Sequence, residues 1–299
     1  MNFLDIISLE ATDLEEILFL ARESPMPILK GEGVALIFEK PSLRTRNSSE
    51  MAVVDLGGHP VYIQDQEVGF NKRESTRDIA RVLASYYRVV AARVHSHDVL
   101  LEMADAIAGE RVDVPVVNLL SDKSHPCQAV ADVLTISNHF ASMQDVIVTY
   151  VGDSNNVARS LAQACAILGS TVRIASPDEY KFDDVVKNEL ASFGRVEFFS
   201  DPVVAASGAD VIYTDTWTSM GDENQADARR AVFAPSFTVD AKTMSYADSE
   251  AIFMHCLPAH RGEEVSNEVI ESKSSVVFEQ AANRRDAFRG ILRKLCATS

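Results

Sequence analysis

Ser42-Leu43-Arg44-Thr45-Arg46 packs two guanidinium groups and two hydroxyls into five residues, just after an apolar run at 34–38 and before a stretch of helical composition at 47–56. A strand-to-helix junction aims unpaired backbone N–H groups and the positive end of a helix dipole at one spot, and arginine forks match phosphate oxygens. Residues 39–46 set three cations against one carboxylate on a chain of net charge −16, so a bound anion is the expected guest. His125 precedes Pro126, which is accepted at the first helical position, so the imidazole should stand at a helix N-terminus where the dipole disfavours imidazolium. Gln128, three residues on, shares its face. A neutral imidazole and an amide could clamp a planar O=C–NH2 group; the plain alternative is a capping histidine beside a solvated glutamine.

Three further stretches are chemically suggestive. Gly152-Asp153-Ser154-Asn155-Asn156 occupies the turn where a dinucleotide fold carries G-x-G-x-x-G, yet has only the first glycine, and the next apolar run enters Ser176-Pro177 instead of an acidic residue. That argues against NAD. Asn156 offers an amide suited to an amino-acid backbone, or else an N-cap. Asp215 can pair with an ammonium and opens Asp215-Thr216-Trp217-Thr218-Ser219-Met220-Gly221, which is either a water-excluding cover or a surface loop whose tryptophan packs down. Cys256, in His255-Cys256-Leu257-Pro258, would have His255 on the opposite face of an extended strand. This disfavours a thioester nucleophile and leaves a buried structural cysteine or polar contact with a substrate amine.

These residues follow apolar runs, and in an open α/β sheet ligands sit beyond the carboxyl ends of the strands. Strands are expected at 34–38, up to 63, at 89–94 and at 114–120, with helices at 13–23, 75–87, 99–108 and 125–140. After 141–144 the alternation restarts, with strands at 146–151, 171–175, 196–199, 211–213, 252–257 and 276–278 and helices at 156–168, 182–193, 203–207 and 280–295. The predicted fold is α/β, two doubly wound parallel-sheet domains at 1–141 and 142–279 with a last helix in 280–299. With 299 residues and 46% hydrophobic content the chain can fill two cores. No apolar run approaches the roughly 20 residues that span a bilayer, and the first ten residues lack the features of a secretory signal, so a cytoplasmic protein is expected. The acidic balance argues against nucleic acid or an anionic membrane as partner. Cys127, Cys165, Cys256 and Cys296 show no metal-ligand spacing and read as reduced thiols, with no zinc.

In this order and at these spacings the motifs resemble those of the aspartate/ornithine carbamoyltransferase family, over nearly the whole chain. S-x-R-T-R at 42–46 resembles its carbamoyl-phosphate signature, H-P-x-Q at 125–128 its carbamoyl clamp, and H-C-L-P at 255–258 its third element. D-x-W-x-S-M-G at 215–221 resembles the loop of ornithine-using members, which aspartate-using members lack. The resemblance implies that Ser42, Leu43, Arg44 and Thr45 hold phosphate with Arg93, that His125 and Gln128 bind the carbamoyl group, and that Arg284 lies near the leaving oxygen. It further implies that Cys256 and the Leu257 carbonyl touch the carbamoyl nitrogen and the attacking amine, and that Asn156, Asp215, Ser219 and Met220 bind ornithine. The substrates would be carbamoyl phosphate and L-ornithine, the products L-citrulline and phosphate, in arginine biosynthesis or citrulline breakdown. Members form trimers or multiples of trimers with active sites at subunit contacts, their final helix crosses back to the first domain, and they need no metal or cofactor. Two departures stand out: Leu43 replaces a common threonine, and in segment 67–75, which resembles the neighbour-subunit loop, Gly69 falls where many members place a phosphate-binding glutamine. The rival readings are another acceptor, such as putrescine or an N-acylornithine, and a non-catalytic regulatory protein of the same fold.

Overall fold

A computed structural model of the chain describes residues 1–109, 113–218 and 223–296. The chain divides into two compact units, Met1–Ala131 joined by the residues from Ala282 onward, and Asp132–Ala281.

The first unit holds strands β1 (Gly33–Phe38), β2 (His59–Gln64), β3 (Val89–Arg93) and β4 (Val116–Leu120), all parallel, in the order β2-β1-β3-β4. β1 and β3 are almost wholly buried, which explains their unbroken apolar runs: helices cover both faces of a parallel sheet. Those helices are α1 (Ala11–Arg22), α2 (Leu43–Asp55), α3 (Asp65–Val68), α4 (Thr76–Ala84), α5 (His97–Ala108) and the start of α6 (Pro126–His139). The order reverses between β1 and β3, the place where open α/β sheets take ligands. Phe38 and Arg93 face each other there, and the Glu39 N–H donates to the Arg93 carbonyl at 2.9 Å, so the start of α2 and the Arg93 side chain emerge side by side.

The second unit is a five-stranded parallel sheet, in the order β7-β6-β5-β8-β9, of β5 (Ile147–Val151), β6 (Thr171–Ala175), β7 (Val196–Phe199), β8 (Val211–Thr214) and β9 (Ile252–His255). Its helices are α7 (Asn156–Ile167), α8 (Asp184–Phe193), α9 (Pro202–Ala206), α10 (Ala226–Phe233), α11 (Ala241–Met244) and α12 (Asn267–Ile270). Val151 pairs with Thr214 and Thr214 with His255, so the residues that follow β5, β8 and β9 leave three adjacent strands at one level.

Several expectations need correction. Residues 276–278, read as a strand, form none: the chain makes only a Phe253–Ser275 bridge before α13 (Val277–Cys296) begins. A three-residue apolar run cannot distinguish strand from helix by period; here Val276 and Val277 are buried while Phe278 is 64% exposed. β9 stops at His255 instead of 257 because Leu257 takes a left-handed φ of +56° and Pro258 has no N–H for a ladder. α2 begins at Leu43 instead of 47, which puts the arginine-rich motif in its first turn.

The part of α13 in the first unit clasps α1. Arg289 and Arg293 donate to the Ala21 and Leu20 carbonyls at 2.6 and 2.8 Å, where the end of α1 favours cations, and Lys294 bridges Asp13 and Glu16. Gly290 lets the helices approach: a Cβ there would lie 2.5 Å from the Ile17 carbonyl oxygen. Gly290→Ala should therefore lower stability by about 1–3 kcal/mol, the usual cost of overpacking, despite the helix propensity gained. A urea unfolding midpoint equal to that of the parent would contradict this packing.

Candidate active site

In the first unit, Ser42 caps α2: its Oγ accepts from the Thr45 N–H at 3.3 Å and donates to Thr45 Oγ1 at 3.0 Å. Arg284, brought back by α13, donates from Nη2 to Thr45 Oγ1 at 2.8 Å and from Nη1 to Gln128 Oε1. One guanidinium thus joins the start of α2 to the first turn of α6. His125 immediately precedes α6, and its carbonyl accepts from the Gln128 and Ala129 N–H groups at 3.1 Å. Thr45, Arg93, His125, Gln128 and Arg284 are all buried, while the Leu43 side chain is 73% exposed, so what residue 43 offers inward is its backbone. Arg46 does not join them. It pairs with Glu50 at 2.8 Å and stacks 3.7 Å over the Tyr62 ring, outside the anion site.

Burial, followed by the charges of Arg284 and Arg93, holds His125 well below the ordinary histidine range. The imidazole is therefore neutral, as its place before a helix suggested, but mainly through burial and arginines. Burial also pushes the neighbouring Cys127 thiol up to about 12, and its Sγ lies 3.3 Å from the Asn118 carbonyl. It is an inert thiol.

In the second unit Asp215 is the centre. Its Oδ1 accepts from the Thr216 N–H at 2.8 Å and the Cys256 thiol at 3.1 Å, and its Oδ2 accepts from Asn155 Nδ2 at 3.1 Å. Asn155 also caps α7, its Oδ1 taking the Val157 and Ala158 N–H groups at 2.9 and 3.1 Å. That settles the capping alternative raised for Asn156, which instead begins the helix. Asn155 was missed by sequence reasoning. The adjacent asparagines were the signal, but spacing does not say which one caps.

Trp217 packs down: it is 1% exposed and stacks on Phe233 at 5.4 Å, so the tryptophan is an anchor and not a cover. Arg229 fastens the same segment, donating to the Trp217 carbonyl at 2.7 Å and to Asp153 at 2.6 Å, and nothing in its local sequence signalled that. Ser219 and Met220 lie outside the described residues. Beyond β9, His255 Nδ1 accepts from the Leu257 N–H at 2.8 Å, so Nε2 carries the proton that Glu264 Oε1 accepts at 3.1 Å. The histidine shapes the Leu257 turn, while Cys256 faces Asp215.

Among the described residues two groups lie within chelating reach of a metal ion, Asp215-His255-Cys256 and His260-Glu263-Glu264. In the first, both imidazole nitrogens are already engaged by protein. No described helix is long and apolar enough to cross a membrane.

Family models match both halves: aspartate/ornithine carbamoyltransferase, carbamoyl-P binding domain, over residues 1–138, and the Asp/Orn binding domain over residues 144–295. The chain is 45% identical over 273 residues to the anabolic ornithine carbamoyltransferase of Pyrococcus furiosus, covering 90% of this chain and 85% of that one. It is 46% identical over 285 residues to the ornithine carbamoyltransferase of Hyperthermus butylicus, covering 93% and 89%. The solved ornithine carbamoyltransferase of Pyrococcus furiosus superposes with a TM-score of 0.94 at 41% identity, covering 100% of this chain and 98% of that one.

Because His125 is held neutral when folded but titrates near 6.5 when unfolded, the unfolded chain takes up the extra proton as the medium is acidified. Stability contributed by the neutral ring is present above about pH 6.5 and lost as pH falls below it. The stability difference between the parent and His125→Asn, measured by thermal unfolding, should therefore shrink from about pH 7.5 to about pH 5. A difference constant across that range would mean that the folded protein protonates His125.

Proposed function

The chain belongs to the aspartate/ornithine carbamoyltransferase family, and on that footing we propose that it transfers the carbamoyl group of carbamoyl phosphate to the δ-amine of L-ornithine, releasing L-citrulline and phosphate. The observation that carries the reading is the set of buried groups in the first unit, Thr45, Arg93, His125, Gln128 and Arg284, which matches the chemistry of an acyl phosphate group by group.

In this proposal the dianionic phosphate sits on the N-terminus of α2, against Ser42, the Leu43 backbone, Arg44 and Thr45, with Arg93 alongside. Gln128 and the neutral His125 hold the carbamoyl amide and polarise its carbonyl, a hydrogen-bond donation that a buried uncharged imidazole can make. Arg284 stands near the bridging oxygen and stabilises charge as that bond breaks. In the second unit Asn156 and the loop residues Ser219 and Met220 take the amino-acid end of ornithine. Asp215, held in place by Asn155, attracts the ammonium group, and Cys256 and the Leu257 carbonyl receive the amine. An alkylamine with pKa near ~10.4 is neutral roughly once in 2,500 at pH 7, about 4.6 kcal/mol against the nucleophile. Positive charge near the reacting amine would offset part of this by favouring its neutral form. Orientation of two bound substrates supplies a further share. The nitrogen lone pair forms the C–N bond, the C–O bond to phosphate breaks with its electrons, and the proton shed by the amine is taken up by the departing phosphate. The same reading makes the protein a cytoplasmic homotrimer, or a multiple of trimers, in which segment 67–75 serves a neighbouring copy.

With carbamoyl phosphate and a panel of ornithine, putrescine, N-acetylornithine and aspartate, ureido product should form with ornithine. Arg44→Ala should lower turnover by about 10²–10³-fold, the scale of one lost charge-stabilising donor, and parent-like citrulline production would remove Arg44 from the site. Asp215→Asn should raise the KM for ornithine more than that for carbamoyl phosphate; an unchanged ornithine KM contradicts its role. Light scattering should return a multiple of three 32.8-kDa chains, and a monomer or dimer would reject the trimer.

A further inference from the structure

The turn that carries Cys256 and Leu257 follows β9, an edge strand whose one strand neighbour among the described residues is β8. Its other edge is covered by main chain at first: Phe253 N–H donates to the Ser274 carbonyl at 2.8 Å and Val276 N–H to the Phe253 carbonyl at 3.0 Å. At His255 a side chain takes over. Gln280 Oε1, on the first turns of α13, accepts the His255 N–H at 2.9 Å, continuing the ladder with an amide that is not part of the backbone.

Gln280 is itself fully determined. Its Nε2 donates to Asp132 Oδ1 at 2.7 Å and to the Tyr213 hydroxyl at 3.1 Å, and that hydroxyl donates to Asp132 Oδ2 at 3.2 Å. Asp132, Tyr213 and Gln280 are all buried at 0% exposure. The amide can point only one way, because a backbone N–H only donates and a carboxylate only accepts. The Tyr213 ring stacks on Tyr150, whose hydroxyl lies 3.5 Å from the Asn155 Oδ1 that caps α7. The triangle therefore connects the strand end that bears Cys256 to the asparagine that braces Asp215. A core that needed only to be filled at this point would not bury a carboxylate, a phenol and an amide.

We propose that Gln280, held by Asp132 and Tyr213, is a positioning residue for carbamoyl transfer: by taking the His255 N–H it fixes the end of β9 so that the Cys256 thiol and the Leu257 carbonyl are presented to the acceptor amine. The role rests on the reaction proposed above. It concerns the second unit alone, so it bears on the acceptor and not on the phosphate.

Gln280→Met keeps length and volume and removes both amide functions. It should lower kcat/KM for ornithine by about tenfold or more, the scale of a hydrogen bond lost next to a charged group, while the dissociation constant of inorganic phosphate stays within about twofold. Gln280→Glu supplies the conservative rescue. Facing Asp132, its carboxyl retains a proton at low pH, donates it to Asp132 and still accepts from His255; as pH rises the proton is lost and the two carboxylates repel. The ratio of its rate to the parent's should fall as pH rises, and a flat ratio counts against positioning. If Gln280→Met does not fold, this pH profile carries the test. A readout free of substrate separates the role from the reaction: iodoacetamide labelling of Cys256, followed by peptide mass spectrometry, should change rate several-fold in Gln280→Met. Should the parent make no citrulline, the carbamoyl-transfer reading falls while a changed labelling rate keeps the geometric role. Equal labelling rates together with equal ornithine kinetics overturn the proposal.

Discussion

Arg284 is the interaction on which the first unit's site depends. Its guanidinium, buried and near the far end of the chain, is hydrogen-bonded to Thr45 in the first turn of α2 and to Gln128 in the first turn of α6. Two helix N-termini and the Arg93 side chain therefore stand around one more positive charge. Such a concentration of cations is costly to bury unless an anion is held there, and it adds to the burial that keeps His125 uncharged. The overall acidity of the chain sharpens the contrast: against a net charge of −16, two of its buried arginines, Arg93 and Arg284, stand where a dianion would sit.

The second unit has the opposite polarity. Asp215 leaves β8 with three donors around it, the Thr216 N–H, the Asn155 amide and the Cys256 thiol, each from or just after one of three adjacent parallel strands. A carboxylate held in this way keeps a fixed direction and yields part of its charge to neutral groups, which suits the reversible holding of an ammonium group. Trp217 and Arg229 anchor the start of the segment that follows β8.

Period and turn chemistry were enough to read two parallel α/β sheets from the sequence, because fully buried strands such as β1 and β3 leave unbroken apolar runs and their helices leave spaced ones. The motifs at 42–46, 125–128, 215–221 and 255–258 stood out because they follow apolar runs, and in such a fold ligands sit beyond the ends of the strands. Local pattern could not reveal partners far apart in the chain. It did not say that Arg46 turns to Tyr62 and Glu50, that Asn155 and not Asn156 caps α7, that Trp217 is core, or that residues 276–278 open a helix. Each was decided by which surface lay opposite once the sheets had formed. Gln280 is the clearest case: in sequence it is one polar residue among many in a helix, and only the folded second unit sets its amide between the end of an edge strand and a buried carboxylate. The sequence by itself determined which chemical groups leave the strand ends; tertiary structure decided which of them meet, because hydrogen bonds between distant residues depend on packing that no local spacing encodes.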